Sequence, residues 1–308
     1  MFDVSEVSRW LGEYSAPRCA DDSIAIAHYR KFYDLNIEGA RHEMGLLQVG
    51  ADQICVQRFA YRRNPNGTVF VLHGYLDHSG LQSKIVRRLL QRGFDVVLYD
   101  QPGHGLSSGD RASIDSFQHY VDCLSACVAH YAGLSTPYSV IGHSMGGAVS
   151  MTHLLQEPGV FHRAVLVAPL YRPRSWRLLR SLHVVGRKFV DRQPRQFMKS
   201  TMDEKFIHFI RETDPLSPKE IPTRWVTSMF DWVKYFDTLG QSDTKVLIVQ
   251  GTLDGTVDWR GNIKIIRKKF ANVRIHLVGE GRHHLLNEID EISQQAWEAI
   301  DPFLGEHR

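Results

Sequence analysis

The sequence predicts an α/β domain built on a mostly parallel central sheet flanked by helices. Two observations carry this. From Thr68 onward, short apolar runs alternate with helix-compatible segments, the pattern of strands joined by crossover helices. Runs such as Thr68-Val69-Phe70-Val71-Leu72 are apolar at nearly every position, as strands covered on both faces must be.

In chain order, a short helix is expected around Val4 to Leu11. β-like stretches follow near Ala25 to Tyr33 and Gln53 to Tyr61, where β-branched and aromatic residues concentrate. The turn Asn64-Pro65-Asn66-Gly67 precedes the strand ending at Leu72. Ser79 or Gly80 opens a helix through Leu90, and Phe94 to Tyr99 is the next buried strand. Ser113 or Asp115 caps a helix running to about Tyr131. Strand Tyr138 to Ile141 leads into a helix through Leu155, and Arg163 to Val167 is the sixth expected strand. After an interruption come strand Lys245 to Gln250, helix Trp259 to Phe270, strand Val273 to Val278 and a helix from about Leu286 to Phe303.

The interruption, 169–240, is the one shift in composition. Its first half carries Arg172, Arg174, Arg177, Arg180, Arg187, Lys188, Arg192, Arg195 and Lys199 against Asp191 alone. Apolar residues such as Trp176, Leu178, Leu182 and Phe189 are interleaved with these cations. The expected organisation is a core from 1–168 and 241–308, with a helical cap at 169–240 inserted after the sixth strand. A basic, Trp- and Leu-containing segment suits a peripheral contact with anionic lipid as well as a solvated helix face.

Bulk properties exclude several classes. A net charge of +3 over 308 residues gives no ground for nucleic-acid binding. The start Met1-Phe2-Asp3-Val4-Ser5-Glu6 lacks a basic region leading into an apolar stretch, so no signal peptide is expected. No apolar run reaches the ~18 residues of a membrane span. The four cysteines lack metal or redox spacing, and Cys123 and Cys127 share a helix face as buried filler, so a reducing cytoplasm is the simplest compartment. The 16 histidines show no paired helical spacing with a Glu, so neither metal nor cofactor is expected. His73, His104 and His143 sit in turns, where imidazoles bond to loop backbone.

The chemistry concentrates in Gly142-His143-Ser144-Met145-Gly146. A Gly-x-Ser-x-Gly turn between strand and helix thrusts its serine into an exposed, strained position, and a Cβ at either glycine would collide with neighbouring backbone. Serine needs a base to take its proton. The loop after the last strand holds His283 and His284, and the loop after the strand before it holds Asp254, with Asp258 as a rival. The backbone N–H groups of Tyr75, after strand 68–72, and Met145, at a helix start, are candidate oxyanion donors.

Five segments carry a resemblance: His73-Gly74-Tyr75-Leu76-Asp77-His78-Ser79-Gly80, Asp100-Gln101-Pro102-Gly103-His104-Gly105-Leu106-Ser107, Gly142-His143-Ser144-Met145-Gly146-Gly147, Gly251-Thr252-Leu253-Asp254 and His283-His284-Leu285-Leu286-Asn287-Glu288. Together they resemble the α/β-hydrolases that include monoacylglycerol lipases, bacterial lysophospholipases and the serine aminopeptidase family. The resemblance implies Ser144 as nucleophile, Asp254 as acid, His283 as base and Tyr75 and Met145 as oxyanion donors. It implies an esterase acting on medium or long acyl chains, with an aminopeptidase or a catalytically silent binding protein of the same fold as alternatives.

Overall fold

The computed structural model describes residues 2–13, 16–21, 23–61, 64–187 and 189–306. Helix α1 (Val4–Gly12) starts on Asp3, whose carboxylate accepts from the Ser5 N–H at 2.7 Å. A two-residue strand β1 (Arg18–Cys19) precedes helix α2 (Ile24–Phe32). This helix replaces the strand expected at Ala25 to Tyr33. Ser23 caps it by accepting from Ile26 N–H, and Ile26, Tyr29 and Tyr33 bury one helical face. Their spacing of three and four outweighs the β-propensity of the same side chains.

Strands β2 (Arg41–Val49) and β3 (Asp52–Ala60) form an antiparallel hairpin. The sequence pattern did not mark β2, whose buried positions do not alternate strictly and whose centre is Gly45. From there the alternation is as expected: β4 (Thr68–Leu72), a 3₁₀ turn at Ser79–Gln82 leading into α3 (Ser83–Gln91), and β5 (Asp95–Tyr99). Helix α4 (Phe117–His130) begins later than expected because Ser116 supplies the cap, accepting from Gln118 N–H. Strand β6 (Tyr138–His143), helix α5 (Met145–Gln156) and strand β7 (Arg163–Val167) follow.

The 169–240 segment follows this seventh strand rather than a sixth. It contains α6 (Trp176–Gly186), a small antiparallel pair of β8 (Arg192–Pro194) with β9 (Glu220–Pro222), and α7 (Glu204–His208) between them. Its last helix is α8 (Thr223–Thr238). Lys188 of the basic stripe lies outside the described residues. The chain closes with β10 (Lys245–Gly251), α9 (Trp259–Lys269), β11 (Val273–Val278), a 3₁₀ turn at Leu285–Asn287 and α10 (Asp290–Gly305).

The sheet order is β1-β2-β3-β5-β4-β6-β7-β10-β11, antiparallel through β3/β5 and parallel beyond. One apolar layer packs α4, α5 and α8 on one face, and a second packs α1, α2, α3 and α10 on the other. The register Val71↔Ile141 and Leu72↔Gly142 brings the ends of β4 and β6 level, so the loops after them meet at one edge. That edge is the carboxyl end of the parallel strands, where open α/β sheets place their sites.

Buried polar bonds fasten the 169–240 segment to the core. Asp214 accepts from Tyr33 Oη at 2.7 Å and pairs with His78 Nε2 at 2.9 Å, all three being buried. Although burial opposes it, the Asp214 carboxylate raises the His78 imidazole above its ordinary pKa. Trp232 Nε1 donates to Thr152 Oγ1 at 2.9 Å, and Ser228 Oγ donates to the Ile114 carbonyl at 2.7 Å. Removing Asp214 strands three buried donors, the Leu216 N–H being the third. Asp214→Ala should therefore cost about 4 kcal/mol in urea unfolding, against about 2 kcal/mol for Tyr33→Phe, which removes one hydrogen bond to the carboxylate.

Candidate active site

Ser144 sits between β6 and α5 with φ 50° and ψ −111°, a backbone state that a residue with a Cβ rarely adopts. Its N–H donates to Val167 O and its carbonyl accepts from Leu170 N–H, both at 3.0 Å, so the neighbouring strand and the start of the insertion hold the turn. The flanking glycines are required by close approach. A Cβ on Gly142 would lie 2.5 Å from the Gly146 carbonyl oxygen, and one on Gly146 would strike the Leu72 carbonyl oxygen. The turn can form only where these three backbones touch.

Met145 is the first residue of α5, so its N–H has no intrahelical acceptor and lies at the positive end of the helix. Tyr75 follows β4 on the adjacent loop. Its ring stacks on Trp225 of α8 at 3.6 Å between centroids, and its hydroxyl donates to Ala112 O at 2.7 Å.

Asp254 lies after β10, with every oxygen engaged. Oδ1 accepts from the N–H groups of Thr256 (2.7 Å) and Val257 (3.2 Å), while Oδ2 accepts from Gln250 Nε2 (3.0 Å). The remaining partner of Oδ2 is His283 Nδ1, at 2.8 Å. Burial alone would raise this carboxyl, but the His283 charge and the hydrogen bonds hold it down at about 2. His284 makes no such contact: its N–H donates to Ser200 O, and its ring lies 4.8 Å from that of His143. Asp258, the rival acid, caps α9 through Gly261 N–H.

The turn histidines His73, His104 and His143 bond to loop backbone. His73 bonds Gly74 O and Gln101 N–H, and His104 bonds Pro102 O. His143 Nε2 donates to His283 O at 3.0 Å, which steadies the loop carrying His283. Burial, then the charge of His283, drives the His143 pKa to about 3. Glu288 fixes the same loop from below, its carboxylate accepting from Thr201 Oγ1 (2.9 Å) and Met202 N–H (2.7 Å). Sequence spacing missed one grouping: Asp77, His143 and His284 each bring a potential ligand atom within 4.8 Å of the others. They come from three separate loops, so no motif could display them together.

Ser144, Tyr75 and His283 line one cavity of about 290 Å³, and Met145 lies buried directly behind Ser144. Most of the cavity wall is apolar, and residues of the insertion (Leu179, Ile210, Trp225 and Met229 among them) supply much of it.

A family model described as serine aminopeptidase, S33, matches residues 63–290. The chain belongs to that family. Among S33 relatives, it is 27% identical over 252 residues to a monoglyceride lipase homolog of monkeypox virus, covering 78% of this chain and 90% of the relative. It is 25% identical over 257 residues to the human monoglyceride lipase, covering 79% and 83%. The fold is shared with the crystal structure of a Paleococcus ferrophilus monoacylglycerol lipase, with TM-score 0.70 and 21% identity over 82% of this chain and 98% of that one. The S33 match runs through all five segments quoted above and across the insertion.

The Asp254 pKa carries a stability consequence. Folding depresses it from 3.8, so its contribution is complete above that value and fades as pH falls towards about 2. Between about pH 5 and pH 2 the wild type should lose about 2 kcal/mol more than Asp254→Asn, measured by urea unfolding across that range.

Proposed function

We propose that this ester hydrolase cleaves carboxylic esters of medium or long acyl chains, such as monoacylglycerols or lysophospholipids, through Ser144, His283 and Asp254. The observation that carries the reading is the 2.8 Å bond from His283 Nδ1 to Asp254, on the same cavity as a serine held at positive φ. With Nδ1–H committed to Asp254, Nε2 is the basic nitrogen of His283. It takes the Ser144 proton as Oγ attacks the ester carbonyl. The oxyanion is received by the N–H groups of Tyr75 and Met145, each such donor being worth ~3 kcal/mol of barrier. The alcohol leaves with the proton from His283, and water repeats the sequence to release the acid and restore Ser144. Asp254, already ionised, stabilises the imidazolium without taking its proton.

The apolar cavity wall suits an acyl chain, and the 169–240 segment acts as the cap that excludes water from it. On the outside of this cap, Leu178, Leu182 and Phe189 are exposed beside Arg177 and Arg180. That mixture supports contact with an anionic lipid surface, from which such substrates are drawn. No described helix is long and apolar enough to cross a membrane.

A fluorophosphonate probe should label the wild type and not Ser144→Ala; an unlabelled wild type sinks the enzyme reading. His283→Ala should lower turnover of p-nitrophenyl acyl esters by about three orders of magnitude or more, while His284→Ala stays within about tenfold of wild type. Faster turnover of aminoacyl amides than of every ester would move the substrate class from lipids to peptides.

A further inference from the structure

Arg195 is a cation in the cavity wall for which ester cleavage itself has no use. It follows β8, and its backbone N–H donates to Lys219 O at 2.8 Å. Its side chain is well ordered by its bonds: Nη1 donates to Leu76 O (3.2 Å), Ser217 Oγ (2.8 Å) and Pro218 O (3.2 Å). The guanidinium lies over the Phe197 ring, 4.5 Å from its centroid. All three acceptors are neutral, and all are on one nitrogen.

Two things are then missing around Arg195. Among the described residues it has no carboxylate within ion-pair distance, and its Nε/Nη2 edge has no protein acceptor. The carboxylates whose field it feels are committed elsewhere. Asp214 is held by His78 and Tyr33, and Asp77 accepts from His78 N–H (2.9 Å) and Gln82 Nε2 (3.1 Å). A largely desolvated guanidinium without a counter-ion is costly, and its free edge is the two-pronged face that matches a pair of anionic oxygens. A second cation shares the ring: Lys219 Nζ is 5.4 Å from the Phe197 centroid, its hydrogen bonds going to the carbonyls of Ile210 and Arg211. Two positive charges suit a group carrying close to two negative ones, as a phosphate monoester does near neutral pH.

We propose that the free edge of Arg195, with Lys219 behind it, receives the phosphate of a monoacyl glycerophosphate, making such lipids better substrates than neutral monoacylglycerols. This rests on the ester-hydrolase reading above. The acyl chain of such a lipid carries no charge, so the phosphate can come only from the alcohol part. The Leu76 carbonyl that anchors Arg195 is one residue from Tyr75, so the charge sits close to the scissile ester.

The test compares 1-oleoylglycerol 3-phosphate with 1-oleoylglycerol, which share an acyl chain, in the wild type, Arg195→Gln and Arg195→Lys. The wild type should favour the phosphorylated lipid by about tenfold or more in kcat/KM. Arg195→Gln should abolish that ratio, chiefly through KM, and Arg195→Lys should keep part of it. A wild-type ratio at or below one, or a ratio unchanged in Arg195→Gln, overturns the proposal. Inorganic phosphate separates a headgroup from a free ion: if it modulates 1-oleoylglycerol hydrolysis while the phosphorylated lipid gains no preference, Arg195 is not a substrate-recognition residue. Calorimetric binding of 1-oleoylglycerol 3-phosphate to Ser144→Ala, and its loss in Ser144→Ala/Arg195→Gln, needs no turnover. Failure of hydrolysis and failure of phosphate recognition are therefore read separately, and loss of binding is judged only where the variant's Tm matches its parent's.

Discussion

The left-handed backbone of Ser144 is the constraint around which the molecule is arranged. A non-glycine residue at φ 50° costs free energy, and it persists only where surrounding structure over-determines it. Here β6 enters the turn, α5 leaves it, Val167 O takes the Ser144 N–H, and Leu170 N–H returns to the Ser144 carbonyl. None of these restraints works unless β4, β6 and α5 approach to backbone contact, which is why Gly142 and Gly146 carry no side chain. The parallel register of β4 with β6 is thus a requirement of the turn as much as of the sheet. The same register sets the Tyr75 loop beside the start of α5.

Charge is arranged around that turn as tightly as backbone. Burial drives His143 and His284 far below the ordinary imidazole range, so two rings packed close to His283 stay uncharged. Asp254 stays ionised well into acid. Asp254 therefore meets His283 as an ionised carboxylate, and the two flanking rings add no charge beside the pair. A charge on either ring would lie beside the His283 ring, and burial opposes it in both. His78 is the counter-example, raised by Asp214, and it serves to fasten the insertion.

What was legible in the sequence follows from what is local. Strands β4, β5, β6, β7 and β10 are covered on both faces, and burial wrote itself into nearly uninterrupted apolar runs. Ser144 and Asp254 could be singled out because each lies just beyond such a strand, while His283 follows the half-exposed edge strand β11. The first 60 residues were harder. Helix α2 uses β-branched and aromatic side chains on a helical face, and β2 is a half-exposed strand centred on a glycine. Composition and periodicity conflict in the one case, and periodicity is weak in the other. The loop after Ser107 is held by Arg192, which donates to the Arg111 carbonyl and pairs with Asp110, a contact between distant stretches that no local pattern displays. Arg195 looked like one cation in a solvated stripe, since only the fold shows it turned into the cavity.

The 169–240 segment is fastened unevenly. Helix α8 is locked down by Trp232, Ser228 and the Tyr75–Trp225 stack, and residues 201–214 by Glu288 and the His78–Asp214 pair. Of these contacts, the Trp225 stack reaches Tyr75 itself, and Glu288 lies just after the loop that carries His283. Helix α6 has no fully buried side chain among its described residues, and it leaves Leu178 and Leu182 about 60% exposed. It meets the rest chiefly through Trp176 against Phe230 and through His183, whose Nε2 lies 3.0 Å from Thr227 Oγ1. Displacing α6 would therefore break few buried bonds, while displacing α8 would strip Tyr75 of its stacking partner. Helices α6 and α8 of one segment are thus held to the core with very different firmness.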